Sequence, residues 1–223
     1  MLKIQKKITR ENYTPLANKR NMWIVIHYVG AVSTAKNNAE YFYDVRRGAS
    51  ANYFVDEKSI WQVVEDKDGA WHVGGALKYY NSCRNNNSIG IEMCCKKDSN
   101  GKWYFEPETI KNTAELTRYL MDKYEIPIER VCRHYDVTGK QCPEPYVRDE
   151  KAWQNFLKLV QEGEMADLPE LTITEKCEKI KEIMNVEDGT ITFLSNYKWN
   201  VPLFDKMYAV CVDAEKWRNQ AKN

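Results

Sequence analysis

The stretch MWIVIHYVG, residues 22–30, constrains the fold more than any other part of this 223-residue chain. Trp23, Ile24, Val25 and Ile26 make a nearly continuous apolar run, the pattern of a strand covered on both faces. His27 follows directly on that run, and Gly30 lets the chain turn. A strand of this kind needs helices or a second layer on each side, and the flanking sequence supplies them.

Thr34 is placed to cap a helix through AKNNAEYFYDVRR that ends near Gly48. SANYFVDEKSIWQVVED reads as a hairpin, with strands at 51–55 and 60–64 around a charged turn at 56–59. SIGIEMCC, 88–95, is a further apolar strand with a single acid, Glu92. Pro107 opens a helix over PETIKNTAELTRYLMDKY whose apolar positions fall mostly on one face, and Pro127 is expected to end it. ERVCRH predicts a brief strand, RHYDVTGKQCPEPY a loop that Pro143 and Pro145 keep from continuing as a helix, and EKAWQNFLKLV, 150–160, a closing helix. Strands alternating with long helices predict an α/β domain, a mixed central sheet flanked by helices, over residues 1–161. After a linker at 162–171 the texture changes. Residues 172–223 hold three helical segments, the first opened by a Thr172/Glu175 capping box, and predict a small all-α domain.

Composition removes several classes of function. Lysine and arginine number 33 against 32 acids, for a formal charge of +1, so no basic excess marks a nucleic-acid groove. No apolar run reaches the ~20 residues needed to cross a bilayer. The start, MLKIQKKITR, has charge but not the apolar stretch of a signal peptide, and a cytoplasmic location is the expectation. Seven irregularly spaced cysteines without any C-x-x-C read as thiols, mostly small buried hydrophobes.

Cys142 is the exception. His134, Lys140 and Cys142 fall within nine positions, and His27 stands at the end of the buried strand. Zinc takes imidazole nitrogen and thiolate readily, and a catalytic zinc keeps three protein ligands and one open position. His134 and Cys142 could fold back on one ion while His27 supplies a third bond from a rigid element. The bland readings are a satisfied strand-end histidine, an inert cysteine and a solvated loop lysine. Glu92 is costly inside an apolar strand unless it has a partner or a task, or lies on an edge strand facing water. Tyr53 is equally a core or a rim aromatic.

Five segments, WIVIHYVG, SANYFVDEKSIWQVVED, WHVGG, NSIGIEM and RVCRHYDVTGKQCPEP, carry a resemblance over about residues 20–160. In that order they resemble the type-2 N-acetylmuramoyl-L-alanine amidases, which include bacteriophage lysozyme-type amidases and peptidoglycan recognition proteins. The resemblance implies Zn²⁺ on His27, His134 and Cys142, and hydrolysis of the amide between N-acetylmuramic acid and L-alanine in peptidoglycan. It also implies Lys140 as an essential lysine, Tyr53 as the tyrosine of the phage-type branch, Glu92 as a catalytic glutamate, and His72 as a substrate contact or an orienter. Glu92 is the first choice for the proton shuttle, with Tyr53 competing. A non-catalytic peptidoglycan-binding protein on the same fold is the rival reading, and a cytoplasmic muropeptide-recycling amidase another. The added helices favour a lytic endolysin that waits in the cytoplasm for release through a holin, with residues 172–223 serving wall targeting or self-association into a homo-oligomer.

Overall fold

A computed structural model describes residues 1–74 and 82–162, together with Glu175, Glu178 and Lys181. The expected linker beyond Glu162 and the expected helical domain at 172–223 otherwise lie outside the described residues. The chain divides into two units, Met1–Gly163 and Glu164–Asn223, and every element below belongs to the first.

Nine strands are described there. They are β1 (Ile4–Lys6), β2 (Tyr13–Thr14), β3 (Trp23–Val32), β4 (Tyr53–Val55), β5 (Ile60–Gln62), β6 (Gly69–Ala70), β7 (Ser88–Lys97), β8 (Trp103–Tyr104) and β9 (Val131–Arg133). Five helices accompany them: α1 (Ala35–Phe42), α2 (Pro107–Tyr124), α3 (His134–Thr138), α4 (Glu144–Arg148) and α5 (Glu150–Glu162). The main sheet runs in the order β1-β5-β4-β7-β3-β9, with β8 antiparallel to the end of β7 and β2–β6 paired separately. It is mixed, as expected: β4, β7, β3 and β9 are parallel neighbours, whereas β4 and β5 form the antiparallel hairpin.

The two ten-residue strands β3 and β7 lie side by side at its centre. Side chains alternate between faces, and parallel neighbours in register share one. Ile24, Ile26, Ile89, Ile91 and Met93 form one face, packed with Leu116 and Leu120 of α2 and Phe156 of α5. Tyr53 belongs to this same cluster. The opposite face carries Val25 in one cluster and Phe54 with Cys94 in another, and α1 packs there through Ala35 and Ala39 against the β4–β5 end.

Two expectations shift for local reasons, and a third boundary holds by a different device. α1 stops at Phe42 instead of near Gly48, because Thr9 and Asn12 donate side-chain hydrogen bonds to the Phe42 carbonyl and Asn12 also to that of Val45. α2 spans Pro107–Tyr124 as expected, but Pro127 is not what stops it. Glu125 turns left-handed at φ 53°, and Pro127 instead precedes a short 3-10 turn, Ile128–Arg130. The segment expected as a loop holds α3 and α4, with Pro143 as N-cap and Pro145 in the first turn, where a missing N–H costs nothing.

Asp66 ties the hairpin to α2. Its carboxylate accepts from Tyr53 (2.7 Å), Gln62 (3.1 Å), Tyr124 (2.7 Å) and Lys123 (3.0 Å). Tyr53→Phe deletes one donor and leaves the other three, so unfolding free energy should fall by about 1 kcal/mol. A urea titration that puts the variant's midpoint at or above wild type would contradict this.

Candidate metal centre and cleft

His27 is the last residue of the fully buried part of β3, which fixes its backbone from both sides. In register it stands beside Glu92 of β7, so both side chains leave the same face. On the other side β9 pairs Arg133 with Ile26, and His134 follows as the first residue of α3. That single step brings the His27 and His134 rings to 4.7 Å between centroids.

Cys142 returns to the pair through a tight excursion. Gly139, at φ 79°, ends α3 and donates to the Tyr135 carbonyl (2.7 Å), a left-handed cap that suits glycine. The Tyr135 N–H then donates to the Cys142 carbonyl (2.8 Å), closing the loop. Arg133 clamps the base of the excursion, donating to Asp136, Glu150 and the Tyr146 carbonyl from a buried position.

The result fits a metal ion. Ligand atoms of His27, His134 and Cys142 lie within 4.8 Å of one another, and all three residues are buried. His27 Nδ1 and Cys142 Sγ are 3.6 Å apart, and ideal tetrahedral bonds of ~2.0 and ~2.3 Å would separate such atoms by about 3.5 Å. Both ring nitrogens of His134 are buried without a hydrogen-bond partner, an arrangement folding disfavours unless something else binds them. Burial, then Lys140, presses the His134 pKa down to about 4, and burial first of all also holds His27 well below its ordinary value. Both imidazoles are therefore neutral with lone pairs to offer. Burial pushes the Cys142 thiol up, which a coordinated cation would reverse by binding the thiolate.

These residues floor a cleft of about 280 Å³, with Glu92 and Lys140 also on its lining and Phe42, Phe54 and Trp71 among its walls. Glu92 does not sit on an edge strand, since β7 lies between β4 and β3. Burial raises its carboxyl to about 8, opposed by Lys140, and its Oε2 has no partner. An acid so placed is poised to hold or release a proton near neutrality.

Tyr53 departs from its expected place, and His72 from one of its two expected roles. Tyr53 pairs with Ile91, one position off from Glu92, and so points to the opposite face, where its hydroxyl is committed to Asp66. It reaches neither a shuttle nor an oxyanion position. Its neighbour Phe54, which registers with Glu92, is the β4 residue that faces the cleft. His72 is buried, with one ring nitrogen 3.0 Å from His27 Nε2 and the other 3.1 Å from Ser88 Oγ, so no ring nitrogen is left for a substrate contact. Sequence reading missed Phe42, Phe54 and Trp71 as walls. The period-2 alternation of YFV was the available signal, because it sends Tyr53 and Phe54 to opposite faces.

Residues 18–145 match the family model described as N-acetylmuramoyl-L-alanine amidase. The chain is 34% identical over 175 residues to the N-acetylmuramoyl-L-alanine amidase CwlL of Bacillus licheniformis, covering 72% of this chain and 47% of that one. It is 36% identical over 146 residues to a probable N-acetylmuramoyl-L-alanine amidase of the same species, covering 61% and 40%. It thus spans less than half the length of these curated relatives. Among solved structures, PlyL superposes with a TM-score of 0.61 at 26% identity, covering 71% of this chain and 97% of that one. The PlyG catalytic domain superposes at 0.62 with 28% identity, covering 73% and 95%.

The raised Glu92 pKa has a sign that stability measurements can read. Between its ordinary 4.5 and about 8 the unfolded chain has released this proton while the metal-free fold retains it, so stability is lost as pH rises through that window. Glu92→Gln cannot ionise and escapes the loss. In metal-free protein its melting temperature should match wild type near pH 4 and exceed it increasingly up to about pH 8. A gap that stays constant with pH would show that Glu92 titrates normally.

Proposed function

This chain belongs to the N-acetylmuramoyl-L-alanine amidase family, and from that premise we propose that it is a zinc-dependent hydrolase of peptidoglycan, cutting the amide between the lactyl group of N-acetylmuramic acid and L-alanine. The observation that carries the reading is the convergence of His27 Nδ1, His134 and Cys142 in a cleft that also holds a lysine and a half-buried acid with a buried, partnerless Oε2. Two nitrogens and a thiolate suit zinc, and a set of three leaves a position open for chemistry.

When bound, zinc supplies Lewis-acid polarisation of the scissile carbonyl and acidifies water. The chain's own residues do the rest. Glu92 accepts a proton from the attacking water as its oxygen bonds to the carbonyl carbon, and returns that proton to the alanine nitrogen as the C–N bond breaks. A carboxyl whose burial raises its pKa toward neutrality serves both halves of that exchange. Lys140 places a fixed positive charge on the cleft lining, suited to the negative charge that develops on the carbonyl oxygen. Phe42, Phe54 and Trp71 offer apolar faces to the glycan and peptide and help exclude water. A metal-free wall-binding role would leave the partnerless His134 nitrogens and the partnerless Glu92 Oε2 without a use, which favours the enzyme.

Purified protein should release muropeptide stems with free L-alanine amino termini from cell walls, lose that activity on exhaustive chelation and regain it with Zn²⁺. Cys142→Ala should abolish it. Lys140→Ala should retain zinc and lose roughly 100- to 1,000-fold in kcat. Hydrolysis that survives complete zinc removal would refute the proposal.

A further inference from the structure

His72 lies behind the metal centre in a chain of hydrogen bonds whose direction can be worked out from one end. The Arg84 carbonyl can only accept. Ser88 Oγ lies 2.6 Å from it and spends its one proton there. Toward His72 Nε2, 3.1 Å away, the same hydroxyl is therefore the acceptor, and Nε2 carries the hydrogen. An imidazole buried edge-on against the His27 ring, with its other nitrogen on a hydroxyl, has no anion to stabilise a positive charge and is neutral. Its Nδ1 is then a bare lone pair, and the His27 Nε2 that faces it at 3.0 Å must be the donor. His27 is left with its own lone pair on Nδ1, the atom that looks toward Cys142 Sγ.

The surroundings hold this arrangement in place. Asn85 Oδ1 accepts from the backbone N–H groups of His72 (3.1 Å) and Val73 (2.9 Å), which fixes the segment carrying the ring. The ring lies flat against β7 at Gly90, where an added Cβ would stand 2.7 Å from His72 Cγ and 2.8 Å from Nδ1. Only glycine admits the imidazole there.

We propose that His72 is a positioning residue of the metal centre, with Ser88 and Gly90 acting through it: the Arg84–Ser88–His72 chain locks His27 in the tautomer whose Nδ1 is free to bind the ion. This rests on the metal-site reading above and adds to it which nitrogen binds and what sets that choice. A second layer of this kind orients ligands and raises their basicity, and its loss typically costs a metal site 10- to 100-fold in affinity.

Long-range ¹H–¹⁵N spectra of the metal-free, full-length protein read the tautomers directly. The expected result is hydrogen on Nε2 of both His27 and His72; hydrogen on His27 Nδ1 would overturn the proposal. Chelator competition then measures zinc affinity. His72→Phe should weaken it roughly 10- to 100-fold, Ser88→Ala several-fold, and His72→Gln, whose amide oxygen can accept the His27 N–H, should recover part of the loss. The visible bands of the Co²⁺-substituted variants should shift relative to wild type. Unchanged affinity and unchanged bands in both His72→Phe and Ser88→Ala would overturn it too. Wild-type protein that bound no zinc would sink the metal-site reading alone, because the tautomer measurement needs no metal.

Discussion

The parallel pairing of β3 with β7 on one side and β9 on the other is the constraint on which the rest depends. It sets His27 opposite Glu92 in register and delivers His134 one residue past the end of β9. Backbone hydrogen bonds position these three side chains, and those bonds are shielded by a core on the far face of the sheet. Rigidity at that level matters because a metal ligand or a proton shuttle displaced by an ångström loses most of its use. Cys142 alone arrives by a turn, and there the Tyr135–Cys142 bond and the Arg133 clamp stand in for a ladder.

Burial in the cleft works on charge in one consistent direction. It strips the positive form from His27 and His134, and it disfavours the negative form of Cys142 and Glu92. All four groups are thereby held toward their neutral forms. A divalent cation would supply the charge that the thiolate and carboxylate forms need. The same low-dielectric setting that makes those groups costly makes an approaching cation's field effective.

The two faces of the sheet have divided roles. One is an apolar contact with α2 and α5, sealed at its rim by Asp66 and the four donors around it. The other carries the cleft, with α1 packed against the β4–β5 end and its last residue, Phe42, on the cleft lining. Thr9 and Asn12 hold the Phe42 carbonyl at the end of that helix, and Asn12 also holds the Val45 carbonyl beyond it.

Much of this was legible in the linear chain. The apolar run before His27 announced a central strand, Pro107 opened a helix in the place expected, and the types of His27, His134 and Cys142 pointed to a candidate metal site. These follow from local physics: periodicity, missing N–H groups and ligand preference act through neighbouring residues. The direction of a side chain across a sheet does not. Whether Tyr53 or Phe54 faced the cleft depended on the register of β4 with β7, and His72 became a support for His27 only because Gly90, eighteen positions away, leaves room for its ring. Residue identity determined which chemistry this protein could attempt. Strand register and close packing, which couple residues far apart in the chain, decided which side chains take part in it.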